Sequence, residues 1–141
     1  MEPPEDLSTL LGRAHQTLLA EMAGELRAAG YEELSPEQAR VLEVLQAGGC
    51  TAAELGETLE VTQQAALHLA KELQRRGYVR RTAHPGGRGR VLCVLTEKAL
   101  QHLRAAGYLR ARLEMRLIER MGAEGLDDLR ARLAQLGQDQ P

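Results

Sequence analysis

Six arginines and no carboxylate stand between Leu73 and Thr96, in the stretch LQRRGYVRRTAHPGGRGRVLCVLT. A guanidinium block without acids beside it suits one chemistry above others, the neutralisation of phosphate oxygens along a nucleic-acid backbone. The charge is local. Residues 1–60 carry 3 basic and 12 acidic side chains, residues 61–96 carry 7 and 1, and residues 97–141 carry 8 and 7, for a net charge of −2. A polyanion responds to the field of the one-signed segment rather than to the total. Just upstream, Thr62, Gln63, Gln64, Leu67, His68 and Lys71 are spaced to share the exposed side of a helix. Glutamine amides offer a donor and an acceptor, which matches the N6/N7 edge of adenine, and Leu67 suits a thymine methyl. His68 and Lys71 suit phosphates, as do Arg75, Arg80 and Arg81, while Arg88 and Arg90 suit a narrow minor groove.

These side chains need a helix that can enter a groove and a hairpin beside it. In TAAELGETLEVTQQAALHLAKELQRRGYV, Thr51 and Glu54 predict a capping box opening a short helix over about 52–58, and Thr62 caps a second over about 63–76. The turn Leu59 to Val61 between them gives helix-turn-helix spacing. Ala66, Leu69, Ala70 and Leu73 fall on the inward face of the second helix. After Gly77, YVRRTA and RVLCVL read as strands joined by the loop HPGGRG, a hairpin near 78–95.

Upstream, Ser35 as N-cap, Pro36 and the capping-box Gln38 start a helix that Gly48 and Gly49 close. Leu7, Leu11, Ala14, Leu18, Met22 and Leu26 stripe a long first helix ended by Gly30. Downstream, helix resumes from about Thr96 with Gly107 as a weak point, GAEG breaks it, and Leu126, Leu129, Leu133 and Leu136 stripe a last helix. The expected fold is mainly α with a small β-hairpin wing (α+β), one domain over 1–141. Its winged helix-turn-helix spans about 35–96, between dimerisation helices at about 1–30 and 97–141. Both ends carry more apolar residues than a small core can cover, which predicts a homodimer.

Catalysis finds no support: the chain has no Walker loop, nucleophile elbow or HExxH, and GGRG lacks the following helix of a phosphate cradle. No cofactor and no metal are expected. Cys50 and Cys93 stand without CxxC or metal-ligand spacing, so the expectation is two ordinary thiols rather than a disulfide framework. Cys50 precedes a helix start, a place that lowers a thiol pKa and favours oxidation. No apolar run approaches the roughly 20 residues of a membrane span, and the acidic opening MEPPEDLSTL is unlike a signal peptide, so a cytoplasmic protein is expected.

The chain resembles the MarR (multiple antibiotic resistance regulator) family of winged-helix transcription regulators. The segments LSPEQARVLEVL, TAAELGETLEVTQQAALHLAKELQRRGYVRR and HPGGRGRVLCVLTEKA carry the likeness, which runs nearly end to end. It implies a homodimer whose recognition helices read a pseudo-palindromic operator in double-stranded DNA. It also implies repression of its own or adjacent genes, relieved by a small aromatic or phenolic effector, for which His15, Tyr31 and Tyr108 are candidate contacts. The oxidant-sensing branch of the family uses a first-helix cysteine, which this chain lacks.

The chain departs from the family pattern in three places. His84 and Gly87 stand where wing acids are usual, predicting a looser wing. His68 stands where arginine is common, predicting phosphate contact that strengthens on acidification. Gly56 replaces an alanine-like helix former, at a cost of roughly 1 kcal/mol unless close packing requires it. These departures, with the acidic first 60 residues, sustain an alternative: a dimeric winged-helix adaptor or anti-regulator that has lost specific DNA binding.

Overall fold

The computed structural model describes residues 1–138, so the last three residues of the expected C-terminal segment lie outside the described part. The elements are α1 (Leu7–Ala28), α2 (Pro36–Gln46), α3 (Ala52–Leu59), α4 (Gln63–Arg75), β1 (Val79–Ala83), β2 (Val91–Leu95) and α5 (Glu97–Leu136). They are grouped in two units, residues 1–106 and 107–141. Five helices and one antiparallel hairpin match the expected mainly α fold with a wing.

Helix boundaries follow the capping chemistry. At α2, Gln38 N–H donates to Ser35 Oγ at 3.1 Å and Ser35 N–H donates back to Gln38 Oε1 at 3.0 Å, a full capping box. At α3 only half of the expected box forms. Glu54 N–H donates to Thr51 Oγ1, but the Glu54 carboxylate accepts from the Thr51 hydroxyl, leaving the backbone arm unmade. Gly30, at φ 91°, closes α1, with Tyr31 N–H donating to Leu26 O. The GAEG break is a single residue: Gly122 has φ 80° and ψ 159° while the chain on either side is helical, and Gly107 leaves α5 unbroken.

The core of the first unit is built from Val41, Leu42 and Leu45 of α2, Leu55 and Leu59 of α3, Ala66, Ala70 and Leu73 of α4, and Tyr78, Val79, Cys93 and Ala99. Leu69 packs against this core only in part. Gly56 is explained by the helix-turn-helix corner. A Cβ there would stand 3.0 Å from Val61 O and 3.2 Å from Thr62 O, so the turn between α3 and α4 can close tightly.

The hairpin register pairs Val79 with Leu95, Arg81 with Cys93 and Ala83 with Val91. Beyond β2, the helix α5 begins where Thr96 donates its hydroxyl to Gly77 O at 2.6 Å and accepts from Ala99 N–H at 3.3 Å. His102, on the next turn, is 4% exposed and lies edge-on to Tyr31 and Tyr78, with ring centroids 5.9 and 5.8 Å away.

Burial holds the His102 pKa below the ordinary histidine value. The unfolded chain therefore binds a proton at about pH 6.5 that the folded chain refuses. This stability is complete above that pH and is lost as pH falls toward the folded value. Urea unfolding is expected to show stability falling from pH 7.5 to 5.5, by up to about 1.4 kcal/mol per pH unit below 6.5. His102→Leu should flatten that slope; an unchanged slope would contradict the assignment.

Candidate nucleic-acid interface

Helix α4 presents the side chains that the sequence places outward. Thr62 is its N-cap, with Oγ1 accepting from Ala65 N–H at 3.0 Å. Its own O–H remains a free donor, so capping and phosphate contact are compatible. Gln63, Gln64, His68 and Lys71 are exposed. Gln64, His68, Lys71 and Arg75 recur at helical spacing along one stripe, opposite the buried Ala66, Ala70 and Leu73. Leu67 is half-buried rather than fully outward, because it lies at the margin between that stripe and the core face.

The arginines divide into two groups, although the stretch from Leu73 to Thr96 itself holds no carboxylate. Glu72, one residue before the stretch, lies 3.8 Å from the Arg75 guanidinium and 3.2 Å from His68 Nε2. The Arg76 guanidinium donates to Glu32 Oε2 at 3.4 Å, Glu33 O at 2.8 Å and Gln38 Oε1 at 3.0 Å. Neither Arg76 nor Arg81 pairs with Glu97, which is bound by Arg104 at 2.9 Å. Among the described residues, Arg80, Arg81, Arg88 and Arg90 pair with no carboxylate. Arg80, Arg88 and Arg90 are exposed. Arg81 is half-buried, on the hairpin face opposite to Arg80, with a buried Nε that lacks a partner.

The wing tip is closed by the residue that stands where an acid was expected. Gly86 N–H donates to His84 Nδ1 at 2.8 Å, Gly87 N–H donates to His84 O at 2.9 Å, and His84 N–H donates to Arg90 O at 3.0 Å. The imidazole Nδ1 thus does what an aspartate oxygen does in an Asx turn. The turn has an acceptor at the position where the family pattern has an acid. Past it, Gly87, Arg88 and Gly89 are all left-handed, at φ 70°, 65° and 71°. Glycine tolerates this freely, whereas Arg88 is held there at a cost of roughly 1 kcal/mol.

Behind these surfaces lies a polar cluster that the sequence reading missed. The Glu32 carboxylate accepts from the Tyr78 hydroxyl at 2.9 Å and from Lys98 Nζ at 3.3 Å, as well as from Arg76. Lys98 Nζ also donates to Arg76 O at 2.7 Å and lies 4.6 Å from the Tyr78 ring centroid. These hydrogen bonds, Tyr78 first, hold Glu32 below its ordinary pKa, while burial and Glu32 push the Tyr78 phenol up to about 12. The only advance signal was that Arg76, Tyr78 and Lys98 sit within the quoted motif segments.

The candidate effector contacts differ in exposure. His15 and Tyr108 are exposed, and Tyr31 packs on His102. At Cys50 the helix-start alternative is not supported. Burial pushes its thiol pKa up, and Cys93 and Glu54 push it further in that direction, so the helix start does not activate it.

A model of the MarR family matches residues 33–88. Among solved structures, the chain is 28% identical to CouR, a transcriptional repressor bound to a 23-mer DNA duplex. That alignment covers 98% of this chain and 100% of that one, with a TM-score of 0.77. Transcriptional regulator PA4135 is 27% identical over 98% and 100% of the two chains, with a TM-score of 0.70. The reduced form of MarR from E. coli, 21% identical over 97% and 100% of the chains with a TM-score of 0.76, shares the fold. No curated protein sequence matches this one. The family match spans α2, the helix-turn-helix and the hairpin as far as its tip, and from end to end the chain shares the winged-helix fold of the MarR-type transcription regulators it resembles.

Proposed function

We propose that the chain is a sequence-specific regulator of transcription that binds double-stranded DNA as a homodimer and represses its own or adjacent genes. The observation that carries this reading is the pairing of an exposed α4 N-terminal face with four arginines, Arg80, Arg81, Arg88 and Arg90, that no carboxylate among the described residues neutralises. In this reading Gln63 and Gln64 contact base edges in the major groove, with Leu67 at a thymine methyl. Thr62, His68, Lys71, Arg75, Arg80 and Arg81 serve phosphates, and Arg88 and Arg90 reach the minor groove. The DNA-bound state of CouR supports it.

The dimer rests on uncovered apolar surface. Helix α1 buries none of its residues, and Leu7 and Leu10 are exposed on it. In the C-terminal unit Tyr108, Met115, Ile118, Met121, Leu129, Leu133 and Leu136 are exposed too. Apolar faces of this extent on a small chain are characteristic of subunit interfaces. The whole chain would then act as one unit, with residues 1–30 and 97–141 pairing the copies and 35–96 reading a pseudo-palindromic operator. Such a protein works in the cytoplasm, without catalysis, and an aromatic or phenolic effector near Tyr31 would relieve binding. No described helix is long and apolar enough to cross a membrane.

Fluorescence anisotropy on DNA from upstream of the chain's own gene tests the reading. Tight binding that discriminates against scrambled DNA and weakens with salt is expected. The double variant Arg88→Ala/Arg90→Ala removes four cations from the homodimer and should lower the salt slope by about 4 and weaken both DNAs alike. Gln63→Ala/Gln64→Ala should instead erode discrimination, by roughly 1–3 kcal/mol for each base that is no longer read. Equal, weak binding to both DNAs by the parent chain would favour the adaptor.

The wing turn supplies a separate expectation. His84→Asp retains an acceptor for Gly86 N–H and should bind DNA as the parent does, whereas His84→Ala leaves that donor free and should weaken binding about 3- to 10-fold through a less ordered tip. Equal affinity of the alanine variant would show that tip order is irrelevant to binding.

A further inference from the structure

Glu72 is the one carboxylate between Val61 and Thr96. It stands on α4 among side chains assigned to DNA, with Oε1 3.2 Å from His68 Nε2 and 3.8 Å from the Arg75 guanidinium. Its side chain is 33% exposed, where those of His68 and Arg75 are 72% and 74% exposed. The acid therefore lies deeper than the two groups it touches. A carboxylate beside phosphate ligands repels DNA, so charge alone argues against an acid at this place.

The chemistry of the His68 ring supplies a reason for it. An imidazole nitrogen and a carboxylate oxygen attract one another at this distance only when the nitrogen carries a proton, since two lone pairs repel. Glu72 thus fixes a hydrogen on Nε2, and Nδ1 is the nitrogen left for DNA. In the neutral ring Nδ1 is an acceptor, and a phosphate oxygen, an acceptor itself, cannot bond to it. In the imidazolium Nδ1 becomes a second donor. Phosphate contact at His68 then requires the charged ring, which has a carboxylate on one nitrogen and a phosphate on the other.

We propose that Glu72 is a positioning residue for DNA recognition: it holds His68 through Nε2, so that the ring reaches a phosphate only through Nδ1–H and binding takes up one proton at each α4. The coupling to DNA rests on the regulator reading above; the orientation of the ring does not.

The groups around the ring give the sign. Lys71, three residues on along the same stripe, opposes the added proton, whereas Glu72 and the incoming phosphate favour it. Among the described residues, no charged side chain of α2, α3 or β1, the elements packed against α4, pairs with His68. The contact is therefore present where the ring is protonated and is lost as pH rises. Arg75, the other neighbour of the Glu72 carboxylate, is charged at every working pH, and its contact needs no proton.

The test starts with the free full chain, in which long-range proton–nitrogen NMR of the imidazoles reports where the His68 ring carries its hydrogen. Nε2–H is expected; a neutral ring protonated at Nδ1 would overturn the assignment. Anisotropy on the upstream DNA at fixed ionic strength, at about pH 6 and about pH 8, then reads the coupling. The parent should bind roughly 10- to 100-fold more weakly at the higher pH, within the limit of about tenfold per proton per pH unit. Calorimetry in two buffers of different ionisation enthalpy should show proton uptake on binding. His68→Gln should lose most of this dependence, and what persists belongs to His84 and His102. His68→Arg should bind at the higher pH about as tightly as the parent at the lower. Glu72→Gln keeps the shape and loses the charge, so it should bind more weakly than the parent at the lower pH and depend less on pH. Tighter binding of Glu72→Gln at both pH values would show that the acid only repels DNA, and the proposal would fail. It would fail too if the pH dependence of the parent survived intact in His68→Gln. Circular dichroism checks that Glu72→Gln retains its helices; were it unfolded, the variants at the exposed His68 still decide. A parent that binds neither DNA at either pH sinks the regulator reading and the coupling with it, whereas a parent that prefers its upstream DNA equally at both sinks the coupling alone.

Discussion

The Glu32 carboxylate is the point on which the DNA-facing surfaces depend. It lies between α1 and α2, yet it is held by Tyr78 at the start of β1, by Lys98 in the first turn of α5 and by Arg76 at the end of α4. Arg76 in turn reaches Gln38, the residue that closes the α2 capping box. One acid and two cations therefore relate the ends of four elements to one another. The carboxylate is about half exposed, so its ion pairs with Arg76 and Lys98 are each worth little. Their value is geometric. They fix the direction in which α4 leaves the core and the point from which the hairpin departs.

This arrangement also explains why an arginine-rich stretch is not uniformly a binding surface. Arg75 and Arg76 are adjacent, but a helix turns by about 100° per residue and sends them to different surroundings. Arg75 stays on the exposed stripe, while Arg76 turns toward the acidic loop before α2. In β1 the pleat separates Arg80 from Arg81 in the same way, one outward and one beside Cys93. The acidic excess of the first 60 residues is partly answered here, since Glu32 serves the cluster and balances cations that would otherwise crowd the end of α4.

Much of the local structure was legible in the sequence because it is decided within a few residues. Ser35 with Gln38, Thr62 before the Gln63 turn, and Gly30 after α1 act through neighbours three to five positions away, and the elements begin and end accordingly. The division of labour among the arginines was not legible, because Arg76 meets Glu32 across 44 residues and Arg81 meets Cys93 through strand register. The Glu72 pairs were nearer in sequence, but they depend on side-chain rotamers that spacing alone does not settle. At His84 the missing acid was legible but its replacement was not: the turn requires only an acceptor, which the imidazole Nδ1 supplies.

The wing's usefulness depends on how firmly it is held, since a charged tip that samples many positions loses part of its phosphate energy to ordering. Three constraints act on it here. The Thr96 hydroxyl and Lys98 tie the base of the hairpin to Gly77 and Arg76. The Cys50 bridge gives β2 a partner on its second edge, joining it to the residue before the α3 N-cap. His84 closes the tip, beyond which Arg88 is held left-handed between two glycines. The hairpin has only two strands, a size that is marginal alone in water. Its order is borrowed from the helix-turn-helix through these contacts, and any change that reaches Gly77, Cys50 or His84 reaches the arginines as well.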